Sequence, residues 1–242
     1  MRPVTRRQFL AAGGYAALLA GCGSSVPAAL LAQARDATAP FAFTDLQRAA
    51  LTAAVAQIVP REGADDWNAV DAGAVDYIEQ LLNLFADGGT PKLYGGGPHR
   101  DRFARFHQLP RIKQVAWMAE IARLRRLYTG GLDALNANGG NFAALPAPAQ
   151  IAILQGQDLA GEAFFSALFE HTMEGVYGHP VYGGNRNYIA WTDLCYEGDV
   201  HGVRFPGGAD PKAVDQPWRV YGGYAPEEMI APGSCPTKAN GS

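Results

Sequence analysis

Apolar residues recur every three or four positions through long stretches of this chain, which is the period of an amphipathic α-helix. Runs of strict apolar and polar alternation, typical of half-buried strands, are lacking. The pattern predicts a mostly α-helical protein without a sheet of any size. With 242 residues and 48% hydrophobic content, the chain can bury one sizeable core, and we expect a single domain.

Helix-start and helix-stop residues divide the pattern into five helices. Thr44 and Gln47 form a capping box before the first helix, and Pro60 ends it. The helices are predicted over about 45–59, 72–87, 111–129, 148–159 and 162–174, with Gly130-Gly131 ending the third. From about residue 177 onward Gly, Pro, Asn and aromatic residues dominate, and we expect a long loop region that wraps over the helices.

The first 21 residues have the pattern of an export signal. Arg6 and Arg7 precede Phe9 and a weakly apolar segment that reaches Ala20, which resembles the twin-arginine signal of proteins exported in the folded state. This segment is shorter than the ~20 apolar residues that span a bilayer. We therefore expect a periplasmic protein that folds before export, with a cofactor or with a companion that has no signal of its own.

Two processing positions follow the signal. Leu19–Cys22 resembles a lipobox, in which the Cys22 thiol receives a lipid that anchors the protein to the membrane. The alternative is ordinary cleavage after Ala32-Gln33-Ala34, which has the Ala-x-Ala form but lies well beyond the apolar segment. We favour the lipobox, so the predicted organisation is a signal over 1–21, a flexible linker over 22–42 and a helical domain over 43–242.

The charge balance argues against nucleic acid as a partner. The whole chain has a formal net charge of -3, and loss of Arg2, Arg6 and Arg7 leaves 17 basic and 23 acidic residues, a net charge of -6. Binding to phosphate backbones depends on clustered Lys and Arg. The only basic cluster comprises Arg123, Arg125 and Arg126, which we expect on a solvated helix face.

Cysteine usage excludes several redox centres. Besides Cys22, the chain has only Cys195 and Cys235, which in the periplasm could form a disulfide with each other or with a companion subunit. Motifs for covalent haem and for iron-sulfur clusters are missing. We expect no cofactor in this chain.

Catalytic motifs are also missing. Dinucleotide, P-loop, nucleophile-elbow and zincin patterns do not occur. A spatial metal site could use four residues, His171, His179, Asp199 and His201, although loop histidines more often serve as hydrogen-bonding residues. Glu162, Glu170 and Glu174 fall near one helical face, where a solvated acidic surface is the commoner explanation than acid-base catalysis.

The segment from Gly178 to Arg186, followed by Trp191, is the most distinctive part of the chain. Its glycines allow positive φ, and Asn185 can bond back to the backbone, so a tight, fixed turn is expected. Tyr182, Arg186 and Trp191 are residue types enriched in binding hot spots. Two interpretations stay open: a partner interface formed by Tyr182, Gly183, Gly184, Asn185, Arg186 and Trp191, or packing of the same residues on their own domain.

These residues resemble the small subunit (subunit 3) family of membrane-bound gluconate 2-dehydrogenase. The resemblance rests on the twin-arginine signal and on five further blocks: Phe43-Thr44 with Ile58–Pro60, Tyr128–Leu132, Asn141–Leu145, Phe164-Phe165 with Thr172 and Gly175, and Tyr182–Arg186 with Trp191. The last block is specific, and together the blocks cover most of the mature chain. Residues 194–199 differ from the turn that many relatives have there, which leaves the substrate open.

The resemblance implies a partner. In that family the small subunit accompanies a large dehydrogenase subunit that carries FAD, and a cytochrome c subunit with haem c commonly takes the electrons. We therefore expect a non-catalytic accessory subunit that escorts the flavoprotein through the twin-arginine route and holds it at the periplasmic membrane. The alternatives are a free-standing lipoprotein enzyme with a His/Asp metal site and a module that binds a small ligand.

Overall fold

A computed structural model of the protein describes residues 28–63, 66–88, 91–92, 109–137 and 140–194. Within these ranges the chain forms seven α-helices and no strand, which confirms the mostly helical prediction. The helices are α1 (Ala28–Ala34), α2 (Asp45–Ile58), α3 (Ala74–Leu82), α4 (Arg111–Ala137), α5 (Ala147–Ala160), α6 (Ala163–Tyr177) and α7 (Ile189–Asp193). None of the helices in this part of the chain is long and apolar enough to cross a membrane.

Helix α2 begins as its capping box predicts. The Thr44 side chain accepts a hydrogen bond from the Gln47 backbone amide at 3.2 Å, and the Gln47 side chain accepts one from the Thr44 amide at 3.1 Å. The two bonds satisfy amide groups that a helix N-terminus leaves without partners. The start of α2 is therefore determined by contacts between neighbouring residues.

Helix α4 does not end at Gly130-Gly131 as predicted, because it continues to Ala137. A Cβ atom at Gly131 would collide with the Phe164 ring on α6. Glycine is therefore needed at this position for close packing of α4 against α6. The prediction was wrong because a tertiary contact, rather than a helix stop, explains the glycine.

The core lies around α4, which packs against α1, α2, α3 and α6. Its largest fully buried side chains come from several elements and include Leu51, Ile78, Ile121, Tyr128, Leu132, Leu135, Phe142 and Leu168. Helix α3 is shorter than predicted and ends at Leu82, but Phe85 beyond it is still buried in this core. The apolar residues that predicted the helices thus form one contiguous core.

Residues 28–42 lie in the stretch assigned to a linker, and in the structure they pack on the domain. Helix α1 lies against α4, and Ala34 and Ala37 are buried. Arg125 on α4 was expected on a solvated face, but only 7% of it is exposed. That expectation was wrong because the guanidinium is bound by backbone carbonyls of Asp36, Ala37 and Leu82.

Candidate functional site

The distinctive segment forms a compact corner, residues 178–191, at the C-terminal end of α6. Two single turns of 3-10 helix, Pro180–Tyr182 and Arg186–Tyr188, lead into α7. The corner rests on α6 and on the residues just before α3. We call this segment the Asn185 corner, because Asn185 is its fully buried polar centre.

Asn185 holds the corner together by hydrogen bonds from its backbone and its side chain. Its backbone amide donates to the Gly175 carbonyl at 2.6 Å, and its side-chain amide donates to the Gly178 carbonyl at 3.1 Å. Its side-chain oxygen accepts from the Ala190 amide at 3.1 Å. Asn185 has φ 44°, a left-handed conformation that Asn tolerates better than most residues. The predicted tight turn is therefore present.

Two glycines of the corner are required by space and by backbone geometry. Gly183 has φ 104°, where a side chain would be strained and would also meet Gln80 of α3. A Cβ on Gly184 would collide with the Gly175 carbonyl. Gly175 is itself tightly enclosed, since a Cβ there would lie 3.0 Å from Cα of Ala74. These glycines allow α3, α6 and the corner to meet at one point.

Arg186 joins the corner to α3 through both its backbone and its side chain. The backbone amide donates to the Ala72 carbonyl at 2.9 Å, and the guanidinium forms an ion pair with Asp76. The side chain also packs against Gly73, where an added Cβ atom would lie 3.7 Å from the Arg186 side chain. The side chain is nevertheless 54% exposed, so its outer side faces solvent in this chain.

Trp191 is turned inward. It is only 8% exposed, and its indole nitrogen donates to the Tyr177 carbonyl at 2.9 Å. The rings of His179 and Tyr188 lie against it, with centroid distances of 5.4 and 5.6 Å. Tyr182 is half-buried and packs against the core. The contacts expected from packing on the domain itself are thus present for Trp191, Tyr182 and Arg186.

A half-buried carboxylate, Glu174, lies beside the corner, whereas the sequence favoured a solvated acidic surface for Glu162, Glu170 and Glu174. Its side chain accepts a hydrogen bond from the Tyr77 hydroxyl at 2.7 Å. Burial raises the pKa of Glu174 from 4.5 to about 7, with a smaller upward contribution from Glu170, while the Tyr77 hydrogen bond acts in the opposite direction.

A second buried pair lies between α4 and α6. The Tyr128 hydroxyl and Nδ1 of His171 are 2.9 Å apart and share a hydrogen bond. Burial lowers the pKa of His171 to about 4 and raises the pKa of Tyr128 well above its usual value of 10. His171 is therefore neutral at physiological pH. The Tyr128 and His171 side chains are hydrogen-bonded to each other inside the core.

Several sequence-predicted residues fall outside the described ranges: Arg6, Arg7, Cys22, Cys195, Asp199, His201 and Cys235. Of the four residues of the alternative metal site, only His171 and His179 are described. Among the described residues, no group of three or more His, Cys, Asp or Glu side chains is arranged to hold a metal ion. His171 is instead hydrogen-bonded to Tyr128.

Comparison with family models gives a match to gluconate 2-dehydrogenase subunit 3 over residues 45–198. The match spans more than half of the chain and contains the whole Asn185 corner. The chain belongs to the gluconate 2-dehydrogenase subunit 3 family. Searches of curated proteins and of solved structures each gave no significant match.

Membership of this family places the protein among the subunits of oxidoreductase complexes. The matched region includes helices α2 to α7 and begins after α1. The contacts that hold α1 and residues 35–37 on α4 therefore join a segment outside the matched region to one inside it.

Proposed function

We propose that this protein is the non-catalytic accessory subunit of a periplasmic, flavin-dependent sugar or alcohol dehydrogenase complex of the gluconate type. The observation that carries the proposal is the family match over residues 45–198. The partner is a large dehydrogenase subunit that holds FAD, and a cytochrome c subunit with haem c receives the electrons. This chain contributes binding and localisation rather than chemistry.

The described polar groups support a role without chemistry in this chain. Tyr77 is hydrogen-bonded to Glu174, and Tyr128 is hydrogen-bonded to His171. These acid-base candidates in the helical core therefore already have partners from the same chain. Ion pairs between described residues, such as Arg48 with Glu79 and Arg61 with Asp71, lie on the surface. In each of these pairs an arginine that stays protonated faces a carboxylate, and no nucleophile takes part.

Export and escort form the second part of the proposal. The twin arginines Arg6 and Arg7 direct the folded chain to the periplasm, and the bound flavoprotein, lacking a signal of its own, crosses with it. Prior folding is compatible with a stable helical core that surrounds α4.

Membrane anchoring through a lipid on Cys22 completes the proposal. A lipid chain contributes ~0.8 kcal/mol per buried CH₂, so its loss weakens membrane attachment strongly unless another subunit also tethers the complex. We expect Cys22→Ala to release the protein from the membrane or to block its processing. Fractionation of cells that produce either form measures this, and mature protein that begins after Ala34 in the wild type would refute the lipid assignment.

The exposed side of the Asn185 corner is the proposed contact with the large subunit. The buried side of the corner fixes its shape, while Arg186 remains half-exposed and Asn187 is exposed. A rigid loop that offers a guanidinium loses little entropy on binding, which favours affinity. Arg186 is the residue we expect to contribute most there, together with Trp191, which holds the loop in place.

Purification of the native complex tests the proposal directly. A tag on this chain should recover a larger protein whose absorption spectrum and released cofactor identify a flavin. Metal analysis of the separated small subunit should show no stoichiometric ion. Recovery of this chain alone, with activity and bound metal of its own, would instead support the free-standing enzyme.

A further inference from the structure

The second possible processing site, Ala32-Gln33-Ala34, is part of the folded domain. It forms the last turn of α1, and the bond that would be cut, Ala34–Arg35, joins that helix to the 3-10 turn Arg35–Ala37. Ala34 is only 3% exposed and Ala37 is fully buried. Proteases act on extended, accessible segments, so cleavage here requires local unfolding.

Arg125 adds a second barrier to that unfolding. Its Nε donates to the Leu82 carbonyl at 2.8 Å and its Nη2 donates to the Ala37 carbonyl at 3.2 Å, while Nη1 binds the Asp36 carbonyl. The guanidinium also lies 5.2 Å from the Phe41 ring centroid. Pulling residues 35–37 away from α4 would leave a buried charge without these partners, which is costly.

Arg126 supports the same segment from the surface. It approaches the Asp36 carboxylate at 3.7 Å, and the Thr38 side chain closes the turn by donating to the Arg35 carbonyl at 2.9 Å. Residues 35–38 are therefore held after the Ala34–Arg35 bond, and Ala34 before it is buried.

We propose that the folded domain itself blocks cleavage after Ala34, so that the signal can be removed only ahead of this segment, at Cys22. The inference rests on the proposed export of the chain in its folded state. It gives α1 a function, since a helix held on α4 prevents loss of the lipid-bearing N-terminus by a second cut.

The first test uses the purified full chain and elastase, a protease that cuts after small residues. Leu30 and Leu31 are half-buried residues of α1, and Leu30→Ser with Leu31→Ser should loosen this helix without changing residues 32–34. We expect cleavage after Ala34 to be at least ~10-fold faster in the double variant than in the wild type. The exposed Ala28→Ser change at the start of the same helix also leaves residues 32–34 unchanged, so it is the control and should cleave at the wild-type rate.

Hydrogen exchange keeps the test decisive if the double variant folds poorly. In the wild type, the amides of residues 34–37 should exchange far more slowly than in an unstructured peptide, because their release requires residues 35–37 to leave α4. Exchange as fast as in an unstructured peptide, or equal elastase rates in wild type and double variant, would overturn the proposal.

Processing in cells separates this inference from the proposed function. Cys22→Ala alone should accumulate as uncut precursor, whereas Cys22→Ala combined with the two α1 changes should yield protein that begins at Arg35. If the protein with Cys22→Ala alone is recovered with Arg35 as its first residue, the domain does not block cleavage after Ala34. If neither protein leaves the cytoplasm, the proposed export is wrong, and the elastase result still decides whether the site is shielded.

Discussion

The backbone amide of Asn185 donates to the carbonyl of Gly175 over 2.6 Å, at a place where neither Gly175 nor Gly184 has room for a side chain. This bond attaches the Asn185 corner to α6. Because Arg186 follows directly and binds the Ala72 carbonyl, the same few residues attach the corner to the start of α3. The shape of the proposed binding loop is therefore set by backbone contacts.

Gly184→Ala tests this close contact. The added methyl group would collide with the Gly175 carbonyl, and overpacking of this kind typically costs about 1–3 kcal/mol of unfolding free energy. Gly156→Ala is a matched control, because this glycine lies inside α5 with open space where the methyl would be. There we expect a gain of about 0.5–1 kcal/mol. Chemical denaturation measures the unfolding free energy of both variants. If Gly184→Ala is as stable as Gly156→Ala, Gly184 is not needed for close packing against Gly175.

The pKa shifts of Glu174 and His171 predict opposing pH effects on stability. The raised pKa of Glu174 means that the folded state binds the Glu174 proton more tightly than the unfolded state does. The contribution of Glu174 to the unfolding free energy therefore falls as pH rises from 4.5 to about 7. The lowered pKa of His171 means that the folded state binds the His171 proton more weakly than the unfolded state does. The contribution of His171 to the unfolding free energy is therefore lost as pH falls from 6.5 to about 4. The two effects offset each other between pH 4.5 and 6.5.

Glu174→Gln should separate these two effects. Gln keeps an acceptor for the Tyr77 hydroxyl but does not titrate, so only the His171 effect remains. We expect the variant to lose on the order of 1–3 kcal/mol of stability between pH 6.5 and 4.5, over a range where the wild type changes little. The exposed Glu62→Gln, which lies outside α6, is the control. A variant whose denaturation profile follows the wild type at every pH would refute the assignment.

Arg186→Ala should weaken the complex far more than the fold. Its ion pair with Asp76 is half-exposed, and pairs of this kind contribute about 0–1 kcal/mol. Truncation of a binding hot spot typically costs ≥ 2 kcal/mol, which is roughly more than tenfold in affinity. Thermal melting of the subunit, compared with recovery of the flavoprotein at low concentration, measures the two effects.

Two controls frame the Arg186 result. Arg48→Ala removes another half-exposed arginine that approaches Asp76, at 3.7 Å, and it lies outside the corner, so flavoprotein recovery should be unchanged. Leu81→Ala removes a core residue and should cost about 2–5 kcal/mol of stability. If Arg186→Ala unfolds the subunit as Leu81→Ala does, or leaves the complex intact, the arginine is a structural residue and the interface lies elsewhere.

Local sequence signals predicted much of the fold. The capping box of Thr44 and Gln47 sets the start of α2 by bonds between neighbours, so no tertiary information is needed. The glycines and Asn185 of the corner likewise predict residues with positive φ, and the structure has positive φ at Gly183 and Asn185. The family resemblance drawn from these blocks is confirmed by the match over residues 45–198.

Features set by distant contacts were missed. Gly131 had the appearance of a helix end, but it makes room for Phe164, which lies 33 positions away in the sequence. Arg125 had the appearance of a surface residue, yet its partners Asp36 and Ala37 are supplied by a segment nearly 90 residues earlier. Glu174 acquires its raised pKa only through burial in the folded chain, against the lowering effect of the Tyr77 hydrogen bond. Helical periodicity carries no information about such pairs.

The most direct test of the account is the location of the flavoprotein in cells whose small subunit carries Arg6→Lys and Arg7→Lys. If this chain escorts a flavin-bearing companion that has no export signal of its own, both proteins should remain in the cytoplasm. Immunodetection of both proteins in periplasmic and cytoplasmic fractions provides the measurement, with the wild-type chain as the control. A companion that still reaches the periplasm while the small subunit stays behind would contradict the escort role.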